Sequence, residues 1–335
     1  MASYNKRRMI YRIKIVIVVL GITLFIALCN VLFSNKKEEK PVGLFERNQL
    51  DVPVEGWKSN ELTDEIIQQS LSCLASRLRA SIDGNFTKEW RSLESNVNVR
   101  PQFSYSLIPT LQECSRPVVD LLPIQKLRAL DELKYFVQPI YADEDCNVIT
   151  LGIGRDVNAE EALLAKYPQC KFLGVDPDEY SSGWLYRHRL NGKYIKGLVG
   201  VKSGVYNSSI IGNTNKNYHT EQLDHFSFIE LLEKYNDGKV IDLLLMDIEG
   251  NEYDLWKHMI DYPELYPPIC QINIEFHDPR EQNALDQLEV FLRMTEKGKY
   301  LYLNIDHTPG WFRRSYMINV QDNRCRYAYL GFNDK

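Results

Sequence analysis

Short apolar runs alternate with helix-like segments from Cys146 onward, and this alternation constrains the fold more than any other feature. Repeated strand–helix units build a parallel sheet with helices on both faces. Runs 315–320 and 326–330 are separated by Gln321-Asp322-Asn323, which predicts a terminal hairpin. The sequence therefore predicts an α/β, Rossmann-like doubly wound fold with a mainly parallel seven-stranded sheet and a terminal antiparallel hairpin. The strands before this hairpin are expected at residues 147–151, 171–175, 194–201, 240–246, 269–276 and 300–305.

An uncharged apolar segment, residues 15–33, lies near the N-terminus. At about 1.5 Å per residue of helix, it is just long enough to span a bilayer. Five basic residues precede it, whereas the charges of residues 36–40 nearly cancel. The positive-inside rule then places the N-terminus in the cytosol and the remaining chain across the membrane. We expect a type II signal-anchor, with a cleaved signal peptide as the alternative.

The cysteines and sequons suit a lumenal compartment. Six cysteines follow the apolar segment, and no C-x-x-C pair indicates a zinc site. Cys146 and Cys170 open neighbouring strands, which lie about 4.8 Å apart in a sheet, so a disulfide between them is expected. Asn85 and Asn207 begin glycosylation sequons. These features predict a Golgi or ER resident glycoprotein with disulfides.

The chain divides into five predicted regions. Residues 61–80 have a helical pattern, and a second short helix is expected near residues 121–133. The net charge of −5 gives no nucleic-acid footprint. The regions are a cytosolic tail (1–14), a transmembrane anchor (15–33), a stem (34–60), a helical accessory region (61–140) and the α/β domain (141–335).

A glycine turn follows the first predicted strand. Gly152 and Gly154 would let a ligand approach the backbone beside a helix that Asn158 is expected to cap. Asp176 ends the second strand 22 residues after Gly154, where an acid can hold a ribose hydroxyl pair. The third glycine of a dinucleotide-binding turn is Val157 here, which favours S-adenosylmethionine (SAM) over a nicotinamide cofactor. A plain strand–turn–helix is the alternative.

Acids follow the apolar run of residues 240–246, and His277 follows the next strand. The carboxyl ends of parallel strands meet at one edge, so Asp247, Glu249 and His277 are the candidate catalytic residues. Histidine could act as a general base for a hydroxyl acceptor. A divalent ion bound by Asp247, Glu249 or His277 could instead lower the hydroxyl pKa. The alternative interpretation is structural, with acids at a helix start and a histidine that closes a loop. Asp224 is expected to be an N-cap of the helix that follows it.

From about residue 147 to 330, the chain resembles the FkbM-like SAM-dependent methyltransferases, and more closely the membrane-anchored methyltransferase-like proteins related to them. The matching segments are LGIGRDVNAEEAL, FLGVDPD, GLVGVKSG, HTEQLDHFSFIELL, LLLMDIEGNEYDLW and QINIEFH. The resemblance implies a SAM pocket at Gly152, Gly154 and Asp176. It implies a substrate side near Asp247, Glu249 and His277.

The function predicted from the sequence is lumenal, SAM-dependent O-methylation of a glycan, lipid or small hydroxylated acceptor. Its expected partners are the membrane, through the N-terminal helix, and that acceptor, but not nucleic acid. Thr150 stands where many SAM enzymes have an acid, so a non-catalytic trafficking or interaction protein with this fold is one alternative. A type II glycosyltransferase that uses Asp176 and Asp178 as a metal site is the other.

Overall fold

A computed structural model describes residues 61–83, 100–130, 132–140, 145–211, 218–277, 284–307 and 313–332. These residues belong to one compact unit, residues 56–335. The expected cytosolic tail, transmembrane anchor, stem and Asn85 sequon all lie outside the described residues. Among the helices in the described ranges, none combines the length and apolar character that a membrane span requires.

The described part of the chain contains twelve strands in three sheets. In chain order they are β1 (Ile124–Arg128), β2 (Leu133–Val137), β3 (Asn147–Leu151), β4 (Lys171–Asp176), β5 (Lys193–Lys196), β6 (Leu198–Gly200), β7 (Gly204–Ile211), β8 (Tyr218–Ser227), β9 (Ile241–Met246), β10 (Ile269–Phe276), β11 (Tyr300–His307) and β12 (Arg313–Asn319).

The central sheet has seven strands in the order β11-β12-β10-β9-β3-β4-β5. β12 runs antiparallel to the other six strands, which are parallel to one another. The Rossmann-like, seven-stranded sheet predicted from the sequence is therefore confirmed. The chain proceeds outward from β3 to β5 and then crosses to β9. This makes the gap between β3 and β9 the switch point, where ligands bind beyond the carboxyl ends of the strands.

The described residues also contain eight α-helices. They are α1 (Asp64–Asp83), α2 (Arg100–Val119), α3 (Asn158–Lys166), α4 (Trp184–Arg189), α5 (Phe228–Tyr235), α6 (Glu252–Asp261), α7 (Ala284–Lys297) and α8 (Asn323–Leu330). Every residue of β9 and β10 is buried. Strands covered on both faces need such nearly continuous apolar runs.

The segment expected to be a short helix at residues 121–133 is instead strand β1 of a β1–β2 hairpin. Side-chain amides of β10 hold this hairpin in place. The Asn273 amide pairs with both the N–H and the C=O of Tyr135, at 2.7 and 2.8 Å. Gln271 pairs in the same way with Val137. The helix prediction was wrong because it used local periodicity, whereas the hairpin depends on contacts more than 130 residues away.

The single strand expected at residues 194–201 is two strands, β5 and β6, separated at Gly197. This glycine has φ +149°, and a Cβ there would lie 2.6 Å from the Phe226 ring and 2.9 Å from the Asp224 carbonyl oxygen. The backbone turns at this crowded position. As a result β6 leaves the central sheet and pairs with β8.

Residues 326–330, expected to be a strand, form helix α8. The Asp322 side chain caps this helix by accepting hydrogen bonds from the Arg324 and Cys325 N–H groups at 3.0 and 3.1 Å. The terminal antiparallel hairpin is instead formed by β11 and β12. The sheet therefore keeps the expected antiparallel strand, but one segment earlier in the chain.

Two expected helix caps are also corrected. Asp224 lies within β8, and Ser227 caps α5 by accepting from the Glu230 N–H at 3.1 Å. Asn158 is the first residue of α3 rather than its cap. Its N–H donates to the Asp156 carboxylate at 2.9 Å, so the acid just before the helix satisfies this donor.

Three disulfides link the described residues. Cys146–Cys170 is present as predicted, and Cys73–Cys114 joins α1 to α2. Cys270–Cys325 joins β10 to α8. The Cys146–Cys170 and Cys270–Cys325 bonds lie where the sheet strands begin. Such cross-links are typical of proteins from an oxidising compartment.

Candidate active site at the carboxyl edge of the sheet

The glycine turn after β3 lies directly against the end of β9. Gly152 has φ +79°, and a Cβ there would lie 1.7 Å from the Asp247 carbonyl oxygen. The Asp247 N–H donates to the Leu151 carbonyl at 2.8 Å, which fixes this approach. Gly154 has φ +63° and open space within 4 Å of its Cβ position. One side of the turn is therefore closed by the sheet, and the other is open to a ligand.

Asp176 holds this turn in shape. One of its oxygens accepts from the Ile153 and Gly154 N–H groups at 2.8 and 3.1 Å, and the other accepts from Asp178 N–H at 2.7 Å. Burial raises the pKa of Asp176, while these N–H groups and the Ser182 hydroxyl lower it. Asp176 thus ends β4 where the sequence predicts it, with most of its acceptor capacity used by its own chain.

Asp178 is also engaged locally. Its carboxylate accepts from the Arg155 side chain at 2.7 Å and from the Ser181 N–H at 3.0 Å. Asp176 and Asp178 are the two acids that a glycosyltransferase would use to hold a metal. Their oxygens instead accept hydrogen bonds from the glycine turn and from the residues that follow β4.

A buried acid that the sequence did not reveal lies beneath the turn. The Thr150 hydroxyl donates to the Glu160 carboxylate at 2.9 Å and accepts from the Tyr186 hydroxyl at 3.1 Å. Glu160 is 2% exposed in the first turn of α3, and burial raises its pKa. A carboxylate thus stands behind Thr150, although Thr150 itself is not acidic.

On the other side of the switch point, Glu252 fixes both a turn and an imidazole. It is completely buried and accepts from the Ile248 and Gly250 N–H groups at 2.9 and 2.8 Å. It also lies 2.8 Å from His277 Nδ1. A carboxylate accepts a hydrogen bond here, so Nδ1 carries a proton and Nε2 faces the remaining acids.

The three predicted catalytic residues lie together at this edge. His277 Nε2 is 3.5 Å from Asp247 Oδ1 and 3.6 Å from Glu249 Oε2. It is also 3.9 Å from Glu275 Oε1, which the sequence interpretation missed. Residues two apart on a strand share a face, so the spacing of Glu275 and His277 could have indicated that Glu275 lies beside His277. These separations exceed an ordinary hydrogen bond of about 2.7–3.2 Å.

Burial and like charges perturb this cluster strongly. Burial raises the pKa of Asp247 to about 8, assisted by the Glu275 charge. Burial alone would lower the pKa of His277, but the hydrogen bond and charge of Glu252, with the charges of Asp247 and Glu249, raise it to about 9. At neutral pH the cluster therefore retains protons that isolated acids would have lost.

A narrow cleft of about 10 Å³, partly open to solvent, adjoins the cluster between the β1–β2 hairpin and the sheet. A chain of ion pairs crosses it. Arg314 Nε lies 2.5 Å from Glu275 Oε2 and 3.2 Å from Glu132, and Lys134 lies 3.1 Å from Glu132. Glu132, Lys134 and Arg314 come from β12 and the hairpin, so no local motif in the sequence indicated them.

A seven-stranded sheet of this order, with a glycine turn and acidic strand ends at one edge, defines a SAM-dependent methyltransferase domain. A model of the family described as "Methyltransferase FkbM domain" matches residues 111–302. This is more than half of the chain, so the chain belongs to the FkbM methyltransferase family. The resemblance inferred from the sequence is confirmed, and the family implies SAM as the cofactor.

Solved structures with a similar arrangement include the METTL16 methyltransferase domain, at 15% identity and a TM-score of 0.34, covering 54% of this chain and 62% of that one. They also include Aeropyrum pernix fibrillarin with natively bound SAM, at 12% identity and a TM-score of 0.31, covering 53% and 68%. A TehB-like SAM-dependent methyltransferase from Corynebacterium glutamicum has 12% identity and a TM-score of 0.29, covering 54% and 88%. No curated protein matches the chain in sequence.

Proposed function

We propose that this chain is a lumenal O-methyltransferase, which transfers the methyl group of SAM to a hydroxyl of a glycan, a lipid or a small molecule. The observation that carries the proposal is the contact between Gly152 and the Asp247 backbone. It joins the glycine turn, where the cofactor would lie, to the acids around His277, where an acceptor would lie. The transfer needs this adjacency because the acceptor oxygen must reach the methyl carbon in line.

The residues of the turn fit the cofactor. The open side of Gly154 allows close approach to the backbone, and a ribose hydroxyl would replace the Ser182 hydroxyl at Asp176. The acids at this edge also complement the positive charge of the cofactor. When bound, SAM supplies an electrophilic methyl group on its sulfonium. We therefore assign Gly152, Gly154 and Asp176 to cofactor binding.

On the acceptor side we assign Asp247, Glu249 and His277. A hydroxyl oxygen becomes a better nucleophile as it loses its proton, so a proton acceptor must stand nearby. His277 is already protonated at neutral pH, because its pKa is raised to about 9. Glu249 is 49% exposed beside it, so it can be reached by an acceptor. We propose that Glu249 takes the hydroxyl proton.

Calorimetric titration of the full-length protein with SAM and S-adenosylhomocysteine tests the cofactor assignment. We expect binding of both, and at least a tenfold loss of affinity in Asp176→Ala. Tritiated methyl transfer from SAM into separated glycan, lipid and small-molecule fractions then tests the reaction. Glu249→Gln should abolish transfer and leave SAM binding unchanged. Failure of the wild-type protein to bind either ligand would contradict the proposal.

A non-catalytic interaction protein is the second candidate, and one observation favours it. Asp176 already accepts three backbone N–H hydrogen bonds, which gives it a structural role without any cofactor. If this candidate is correct, Asp176→Ala should lower the thermal stability of a protein that does not bind SAM.

The lumenal location and the membrane anchor are part of the proposal. The three disulfides support an oxidising compartment. Protease digestion of sealed microsomes should leave the α/β domain intact, and glycosidase treatment should shift its mass if Asn85 or Asn207 is glycosylated. Digestion of the domain in sealed microsomes would contradict the proposed type II orientation.

A further inference from the structure

We propose that the carboxyl edge binds a divalent cation through Asp247, Glu275 and His277, and that the cation holds the acceptor by two neighbouring oxygens. The identity of the bound acceptor rests on the proposed function, but the cation site stands on geometry of its own. It differs from the set considered from sequence, because Glu275 takes the place of Glu249.

The ligand geometry comes first. One ligand atom from each of the three side chains lies within 4.8 Å of the other two. Ligands of a hard divalent cation lie about 2.1 Å from it, so opposite ligands are about 4.2 Å apart. The distances from His277 Nε2 to Asp247 Oδ1 and to Glu275 Oε1, 3.5 and 3.9 Å, fit within that span. The two carboxylates are ligands that suit Mn²⁺ or Mg²⁺.

An orphaned oxygen points independently to a ligand. Asp247 Oδ1 is completely buried, and it accepts no hydrogen bond from the described residues. A buried polar atom without a hydrogen bond is destabilising, and an ion is one of the few ways to satisfy it. On Glu275, Oε2 accepts from Arg314, while Oε1 is the oxygen nearer to His277 Nε2.

The histidine is held as a metal ligand would be. Histidines that bind metals usually donate their other ring N–H to a carboxylate, which fixes the orientation of the ring. Glu252 serves this role for His277, and two backbone N–H groups hold Glu252 in turn. Nε2 is thereby directed toward Asp247 and Glu275.

The charge around the site also favours a cation. Four carboxylates lie around His277, namely those of Asp247, Glu249, Glu252 and Glu275. The guanidinium of Arg314 is shared between Glu275 and Glu132. A dication would balance the negative charge of these carboxylates.

Three protein ligands leave open positions on a six-coordinate cation, which can take water or acceptor oxygens. Two of the proposed ligands, Asp247 and Glu275, line the adjoining cleft. An acceptor with vicinal hydroxyls, or with a hydroxyl beside a carboxylate, could fill two positions at once. The cation would lower the pKa of the bound hydroxyl. Glu249, which is outside the ligand set, would then accept its proton.

Titration of the full-length protein with Mn²⁺, followed by electron paramagnetic resonance, tests the site without SAM or an acceptor. We expect one bound Mn²⁺ per chain. Asp247→Asn and Glu275→Gln should each weaken binding at least 30-fold, and Glu252→Gln should weaken it about tenfold through His277. Glu249→Gln is the matched control, because it removes a carboxylate beside Nε2 from outside the ligand set, and its affinity should stay within threefold of wild type.

A second measurement tests the open positions. Water-proton relaxation by bound Mn²⁺ should fall when catechol, a vicinal diol, displaces water from the ion. Unchanged relaxation at saturating catechol would overturn the chelation of the acceptor. Absence of Mn²⁺, Mg²⁺ and Ca²⁺ binding at millimolar concentration would overturn the cation site, as would wild-type affinity in both Asp247→Asn and Glu275→Gln. SAM binding without cation binding would overturn this inference alone, whereas cation binding without SAM binding would overturn only the proposed function.

Discussion

Two aspartates lie at opposite ends of β9, and they have different surroundings. Asp242, at the start of the strand, accepts from the Asn147 N–H and the Tyr329 hydroxyl, both at 2.8 Å. Asp247, just past its end, has a buried oxygen that accepts no hydrogen bond from the described residues. Burial raises both pKa values, to about 6 and about 8. The same strand thus presents a satisfied carboxylate at one edge and an unsatisfied one at the other.

The contrast extends along both edges. Disulfides Cys146–Cys170 and Cys270–Cys325 link the amino edge. The carboxyl edge has positive-φ residues in its turns, including Glu249 at φ +57°, and its acids crowd one imidazole. Strain and unsatisfied charge persist only where the surrounding structure enforces them. We infer that the disulfides at the amino edge stabilise the fold, and that they offset the destabilising strain and crowded acids at the carboxyl edge, where a ligand would bind.

The largest effect should come from Gly152→Ala. The added Cβ would overlap the Asp247 carbonyl oxygen at 1.7 Å, and both groups belong to the backbone of the sheet edge. We expect a loss of more than about 4 kcal/mol in the free energy of unfolding, or no folded protein. Gly154→Ala is the control, since it meets nothing within 4 Å and should cost only about 1–2 kcal/mol for its left-handed backbone. Equal urea midpoints for the two variants would refute the close approach.

Removal of Cys270–Cys325 should have the next largest effect. The bond closes a 55-residue separation, for which chain entropy predicts about 4 kcal/mol of stabilisation. The 24-residue separation of Cys146–Cys170 predicts about 3.5 kcal/mol. Double Cys→Ser variants compared by chemical denaturation test this order. A variant without Cys270 and Cys325 that unfolds at the wild-type midpoint would show that the amino edge does not depend on its cross-link.

Matched Asp→Asn variants test the two ends of β9 directly. Asp242→Asn replaces an acceptor that serves two buried donors, and should cost about 2 kcal/mol. Asp247→Asn replaces an acid whose buried oxygen accepts no hydrogen bond from the described residues, and in chelator-treated protein should leave stability unchanged or raise it. Thermal unfolding of both variants is the measurement. If both variants lost the same amount of stability, Asp247 would contribute as much to the stability of the fold as Asp242.

Much of this contrast could be predicted from the sequence, because it follows from the sheet. Apolar runs predicted β3, β4, β9 and β10, and parallel strands bring their carboxyl ends to one edge. That argument placed Gly152, Asp176, Asp247, Glu249 and His277 at the same edge.

The rest depends on contacts that no local pattern reveals. The β1–β2 hairpin, which brings Glu132 and Lys134 to the cleft, depends on amides of Gln271 and Asn273 that are far away in sequence. Arg314 lies on β12. The pairing of β12 with β11 could be predicted only if residues 326–330 were recognised as a helix rather than as its partner strand. The interaction partners of the predicted site residues were therefore harder to predict from the sequence than the site residues themselves.

The smallest effect is a pH dependence at the amino edge. The native pKa of Asp242, about 6, lies above its ordinary value of 3.8, so the native state binds this proton more readily than the unfolded state. Protonation of Asp242 should therefore stabilise the protein as the pH falls through 6, and this contribution is lost again as the pH rises. Between pH 7 and 5 the gain should be about 1 kcal/mol. The stability difference between wild type and Asp242→Asn should shift by that amount in favour of wild type, because every other titrating acid is common to both proteins. A pH-independent difference would show that the two hydrogen bonds to Asp242 already outweigh its burial, which would widen the contrast with Asp247.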